Sequence, residues 1–187
     1  MASSSPVSVR DLARIAIFAA IIAVLGLPGA IPLGAGLAPI TAQTLGVMLA
    51  GAVLGAWRGA AAVAVFEVLV LAGLPLLSGG RGGAAVFAGP TVGYLIGWIV
   101  GAYVIGLIAK PSAAKLSIWR LIVGLVVGGI VVVYAFGIPF FAAISGYPLA
   151  AVATGNAIYL VGDSIKVVVA ALIVLGLSRA YPKALQN

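Results

Sequence analysis

The chain has 187 residues, of which 64% are hydrophobic and only 7% charged, with a mean hydropathy of +1.33. A soluble domain carries roughly a quarter charged residues, so this composition predicts an integral membrane protein. Because the chain has no cysteine, no histidine and only three acidic residues, it lacks the groups for a disulfide framework, the usual zinc sites or a Ser-His-Asp triad. We therefore expect neither catalysis nor a metal site.

Six apolar stretches, separated by short breaks, predict an all-α protein with six transmembrane helices. They cover about 12–27, 39–56, 59–73, 90–109, 118–136 and 150–177. We expect a single membrane domain over 1–187, with residues 1–11 as a cytoplasmic segment. The first stretch also fits a signal peptide, with a basic start and small residues at its end, but the rest of the chain is equally apolar, which favours a helix.

Three connections are rich in glycine and proline and nearly free of charge, at 28–38, 74–88 and 137–148. The second contains Arg81 and is too broken by glycine to be a uniform helix, so we expect it to re-enter the protein partly. Pro90 then opens the fourth helix, since proline is favoured in a first helical turn.

Basic residues give the orientation. The net charge of +7 is spread singly among helix ends, which argues against a nucleic-acid surface. With six spans, one side of the membrane carries eight of the basic residues, namely Arg10, Arg14, Arg58, Lys110, Lys115, Arg120, Arg179 and Lys183. The other side carries Arg81, while Lys166 lies inside a span. The positive-inside rule therefore predicts cytoplasmic termini and outward glycine-rich loops.

Small residues recur at four-residue spacing and predict close helix packing, because glycine and alanine let backbones approach in lipid. The glycine ridges comprise Gly89, Gly93, Gly97 and Gly101, Gly51, Gly55 and Gly59, and Gly124 and Gly128. The first helix has the pairs Ala16/Ala20 and Ala19/Ala23. These alanines indicate either packing inside the bundle or a face for a partner membrane protein.

Two opposite charges lie inside the last span, in the run Val161–Lys166, VGDSIK. Asp163 and Lys166 are three residues apart and share a helix face, so they can pair with each other or present an acceptor and a donor to a ligand. Both interpretations stay open on these residues alone.

Further polar groups lie at membrane depth, most of them expected in the outer half. The candidates are Thr41, Gln43, Tyr94 and Asn156, with Arg81 in the loop above them. A small polar solute needs such groups to replace its hydration, so a site open to the outside is predicted. Glu67 lies mid-helix and can either join this site or neutralise Lys166.

Three segments of the chain form a recognisable set: APITAQTLGVMLAGAVLGAWRG from Ala38, GGRGGAAVFAGPTVGYLIGW from Gly79, and VGDSIK. Together they resemble the BioY family, the biotin-specific S components of energy-coupling factor (ECF) transporters. The resemblance covers residues 14–177 with the same motif order. It implies a six-helix S-component fold in the cytoplasmic membrane of a prokaryote, with an outer biotin site covered by the loop between the first two helices.

The resemblance also implies partners: a membrane T component, contacted through the alanines of the first helix, and a pair of cytoplasmic ATPases. Only those partners use ATP, and no G-x-x-x-x-G-K-[ST] phosphate loop occurs in the chain. No cofactor is expected.

Biotin offers two ureido N–H donors, a ureido carbonyl, an apolar ring and chain, and a carboxylate. On the resemblance, Asp163 would accept a ureido N–H, Lys166 or Asn156 would donate to the carbonyl, and Arg81 would meet the carboxylate, with Gln43 and Tyr94 assisting. The alternatives are an S component for another small vitamin, a stand-alone proton-coupled transporter using Asp163, Lys166 and Glu67, and a purely structural membrane subunit.

Overall fold

The computed structural model describes residues 8–27, 40–109, 116–181 and 185, and they form a bundle of helices. The helices are α1 (Val9–Val24), α2 (Gln43–Leu54), α3 (Ala56–Leu71), α4 (Ala84–Ala88), α5 (Val92–Ala109), α6 (Ile118–Val126), α7 (Val133–Ser145), α8 (Leu149–Gly155) and α9 (Ala157–Ala180). A π-helical turn, Val127–Val132, joins α6 to α7 without a break. The predicted loop at 28–38 and the connection at 110–115 lie outside the described residues.

Three helical segments of the described chain are long and apolar enough to cross a bilayer: Val92–Ala109, Ile118–Ser145 and Ala157–Ala180. Large apolar side chains such as Val161, Val168 and Leu172 are exposed on α9. Such an apolar outer surface is costly in water and suits a protein whose solvent is lipid.

Helix α5 runs through the middle of the bundle and contacts α2, α3, α6 and α7. Its glycines make the close contacts that their spacing predicts: a Cβ added to Gly97 would lie 3.0 Å from the Cα of Val133, and one added to Gly101 would lie 2.5 Å from the carbonyl of Gly128. Gly106 faces the backbone of Gly55 and Ala56 with no room for a side chain. The glycine ridges of α5 therefore serve packing inside the chain.

Helix α1 begins at a capping box, because the Ser8 hydroxyl accepts from the Asp11 amide and the Asp11 carboxylate accepts from the Ser8 amide. Hydrogen bonding to Ser8 and to Arg58 lowers the pKa of Asp11. The Arg58 guanidinium also pairs with Asp11 at 2.8 Å, which ties the start of α1 to the start of α3.

The alanines of α1 fall on two different faces. Ala19 is buried against the core and Ala23 is half-buried beside it, whereas Ala16 and Ala20 are exposed. Of the two alternatives that the sequence left open, Ala19 follows packing inside the bundle, because at 3.6 residues per turn it lies on the inward side of the helix, while Ala16 and Ala20 remain accessible to a partner.

The segment 137–148, expected to be a loop, is helical as far as Ser145. Pro139 lies inside α7, where neighbouring helices in a bundle can support the backbone that proline leaves unpaired. The predicted last span is interrupted at Asn156, which separates α8 from α9. The segment 74–88 contains a Leu77–Arg81 backbone bridge followed by the short α4.

Candidate ligand-binding cavity

A cavity of about 730 Å³, including its open mouth, lies between α2, α5, α7, α9 and the segment that precedes α4. Of the residues singled out from the sequence, the cavity is lined by Thr41, Gln43, Arg81, Tyr94, Asp163 and Lys166. Asn156 and Glu67 do not line it.

One wall carries a charged network centred on Asp163, which is only 6% exposed. The Lys166 ammonium donates to Asp163 Oδ1 at 2.9 Å and to the Thr44 hydroxyl at 2.8 Å. The Tyr134 hydroxyl donates to Asp163 Oδ2 at 2.7 Å. The internal ion pair that the sequence left open is therefore present, and its charged groups border the cavity, where a ligand can reach them.

The other wall of the cavity is apolar. Leu77, Leu95, Trp98 and Val133 contribute to the lining. The Trp98 ring lies 6.4 Å from that of Phe66 in a tilted arrangement. The cavity thus combines a charged wall with an apolar one, as a ligand with a polar head and an apolar body requires.

Gln43 borders the cavity, but its amide is occupied by the protein. Its Nε2 donates to the carbonyls of Ile22 at 3.3 Å and Leu76 at 3.0 Å, and its Oε1 accepts from the Ser78 amide at 3.0 Å. The Thr41 hydroxyl accepts from the backbone N–H of Gln43 at 3.3 Å. Gln43 therefore joins the end of α1 to the segment before α4 and holds the cavity rim in place.

Asn156 supports the cavity from behind. The Tyr94 hydroxyl donates to Asn156 Oδ1 at 2.6 Å, and Asn156 Nδ2 donates to the Val152 carbonyl at 2.8 Å. Because Asn156 is buried at the break between α8 and α9, it fixes Tyr94, which lines the cavity. Tyr159, one turn before Asp163, lines the same space.

Arg81 lies at the rim on an exposed segment, where its Nε donates to the Ser78 carbonyl at 3.4 Å. Glu67 is buried in α3, and its Oε1 has no hydrogen-bond partner among the described residues. The pairing of Glu67 with Lys166 that the sequence allowed is not observed, since Lys166 pairs with Asp163.

Tyr134 is a site residue that the sequence did not predict. It lies inside a run of valine, glycine and phenylalanine, and the signal available was a hydroxyl in the interior of an apolar helix. A buried hydroxyl needs a partner in lipid, which could have drawn attention to it.

A lipid-facing helical bundle that encloses a cavity with charged and apolar walls is the architecture of a membrane protein that binds a small solute. The sequence model described as BioY family matches residues 1–183. The chain belongs to the BioY family.

Curated relatives and a solved structure agree with this membership. The chain is 48% identical over 180 residues to the biotin transporter BioY of Rhizobium etli, covering 94% of this chain and 96% of the relative. It is 45% identical over 188 residues to the biotin transporter BioY of Rhodobacter capsulatus, covering 94% and 97%. A crystal structure of the S component for biotin from an ECF-type ABC transporter superposes with a TM-score of 0.88 at 32% identity, covering 95% of this chain and 96% of that one.

Proposed function

We propose that the protein binds biotin and takes it up as the substrate-specific component of an ECF importer, acting as a transporter rather than an enzyme. Two relatives that match nearly the whole chain are named biotin transporters, and the matching solved structure is an S component for biotin. The observation that carries the proposal is the Asp163–Lys166 pair at the wall of an otherwise largely apolar cavity.

The chemistry of biotin matches the walls of the cavity. A ureido N–H can donate to Asp163, and the ureido carbonyl can accept from Lys166. The sulfur ring and valeryl chain then lie against Trp98 and its apolar neighbours, and the carboxylate extends towards Arg81 at the rim. Asn156 and Gln43 act by holding Tyr94 and the rim segment, and Glu67 takes no part in ligand contact.

We place the protein in the cytoplasmic membrane of a prokaryote as one membrane domain with six spans, both termini in the cytoplasm and the cavity opening outwards. The distribution of basic residues supports this orientation, with eight on one side and Arg81 on the other. In this arrangement α1, α2, α3, α5, α6 with α7, and α9 are the six spans.

The partners would be a membrane T component and a pair of cytoplasmic ATPases, which alone use ATP, and the chain itself needs no cofactor. The exposed Ala16 and Ala20 of α1 are the small residues available to a partner helix, since small side chains permit close approach in lipid. Ala19 and Ala23 would support that face from the inner side.

The direct test is titration of the protein, purified in detergent, with biotin. We expect saturable binding by the wild type and a loss of affinity of at least about 100-fold in Asp163→Ala, because this change removes an acceptor and leaves Lys166 without its counter-charge. Ser164→Ala is the matched control: Ser164 neighbours Asp163 but is exposed. Equal affinities in wild type and Asp163→Ala would overturn the site.

Uptake assays separate the modes of transport. In the ECF arrangement, biotin uptake by cells depends on a co-expressed T component and on ATP. Dependence on a proton gradient without those partners would instead make the chain a stand-alone transporter, and tight binding of a different vitamin would change the substrate.

A further inference from the structure

The π turn determines which side chains of α7 reach the cavity. Leu121 and Leu125 are buried positions of α6 at α-helical spacing. Continuing that spacing at 3.6 residues per turn places inward positions about one residue before those observed after the turn, Val133 and Gly137. The wider turn therefore rotates α7 relative to α6, and Val133 and Tyr134 line the cavity.

Gly128 and Gly129 allow this turn to pack closely against α5 and α2. A Cβ on Gly128 would lie 2.6 Å from the Gly101 carbonyl of α5, and a Cβ on Gly129 would lie 2.6 Å from the Cε of Met48 on α2. The π-helix is rare and is found frequently at functional sites. In this protein the π turn directly precedes α7, which places the Tyr134 hydroxyl at the charged wall.

That side chain, Tyr134, is the second donor to the Asp163 carboxylate. Tyr134 donates to Oδ2 at 2.7 Å, while Lys166 donates to Oδ1 at 2.9 Å. One donor on each oxygen fixes the plane of the carboxylate, and each oxygen keeps acceptor capacity for a further donor. The Tyr134 ring packs against both main apolar clusters of the core, which anchors the hydroxyl.

We propose that Tyr134 is a positioning residue, which acts on the ligand through Asp163 by holding its carboxylate in the orientation that accepts a ureido N–H. The inference rests on the proposed biotin function. The ligand does not need to touch Tyr134. Removal of the hydroxyl lets the carboxylate turn, so the pre-organisation that favours the bound geometry is lost.

The test is a double-mutant cycle on biotin affinity, using Tyr134→Phe, Asp163→Asn and the combined variant. Phenylalanine keeps the ring and its packing, so the fold is retained. We expect Tyr134→Phe to weaken biotin binding about tenfold in the wild-type background, the size expected for losing a hydrogen bond to a charged group. In the Asp163→Asn background, the same change should cost less than about twofold, because the group it positions is altered.

Tyr103→Phe is the matched control, since Tyr103 is an exposed tyrosine of α5 outside the cavity. It should leave biotin affinity unchanged, and the Tm of Tyr134→Phe should stay close to that of the wild type. Equal losses from Tyr134→Phe in both backgrounds, or no loss in either, would overturn the positioning role. If Asp163→Asn alone leaves affinity unchanged, the proposed ligand site itself fails, which is a separate result.

Discussion

Arg81 is the basic side chain at the mouth of the cavity, and it should act on the charge of the ligand rather than on its ring. We predict that Arg81→Gln weakens the binding of biotin about tenfold, as expected for loss of a charge-assisted hydrogen bond. The same change should leave the binding of biotinamide unaltered, because that analogue has no carboxylate. Titrations of both ligands give the two affinities.

Arg179→Gln serves as the control, since Arg179 is exposed at the far end of α9 and does not line the cavity. A loss of affinity for biotinamide equal to the loss for biotin would mean that Arg81 supports the rim segment and does not contact the carboxylate.

At single positions, the sequence predicted the site residues whose burial costs free energy unless they are paired. Asp163 and Lys166 stand out because charges in an apolar helix need partners, and the structure places both at the cavity. The roles of Gln43 and Asn156 could not be read this way. An amide in a helix has the same sequence signature whether it meets a ligand or three backbone groups, and only the tertiary structure distinguishes the two.

At the scale of elements, the rim depends on a close approach between the turn after α1 and the segment before α4. A Cβ on Gly26 would lie 2.7 Å from the Leu76 carbonyl and 2.9 Å from Gln43 Nε2. We predict that Gly26→Ala destabilises the protein by about 1–3 kcal/mol, the usual cost of overpacking. Thermal unfolding in detergent should therefore show a lower Tm, together with weaker biotin binding.

Gly176→Ala is the matched control for that change. Gly176 lies in α9 with open space around its Cβ position, and alanine favours a helix more than glycine does. Its Tm should be unchanged or higher. A Gly26→Ala protein as stable as Gly176→Ala would show that the link between α1 and the rim segment is loose.

Periodic hydrophobicity predicted that the elements exist, but it did not predict how far α7 extends or where the π turn lies. Gly137 and Pro139 indicated a loop, yet α7 continues through both, since packing against α5 outweighs the local preference. The π turn left no comparable signal: Gly128 and Gly129 also fit an ordinary small-residue ridge. The shift of one residue that it introduces arises from contacts with α2 and α5, which are remote in sequence.

For the whole molecule, orientation in the membrane is the feature that decides from which side a ligand enters. The chain contains no cysteine, so single introduced cysteines report accessibility without a background. We predict that a membrane-impermeant maleimide added outside intact cells labels Ala85→Cys, in the exposed α4, and does not label Ala180→Cys, at the end of α9. Labelling of Ala180→Cys alone would invert the topology.

The apolar composition and the length of the apolar stretches predicted a helical membrane protein, because backbone polar groups in lipid must be hydrogen-bonded within the protein, as they are in a helix. Sequence could not predict the shape of the cavity, which is enclosed by side chains from α2, α5, α7 and α9 that are far apart along the chain. The motif resemblance instead predicted the family. The structure then showed Asp163 and Lys166 at the cavity, where they can form hydrogen bonds with a ligand.

We propose that this protein holds biotin between the Asp163–Lys166 wall and the apolar side of the cavity. The most direct measurement is native mass spectrometry of the protein purified in detergent from cells grown with biotin. We predict one biotin per chain in the wild type and none in Asp163→Ala. A wild-type protein that carries no biotin and takes up none when it is added, or that carries a different small molecule, would contradict the claim.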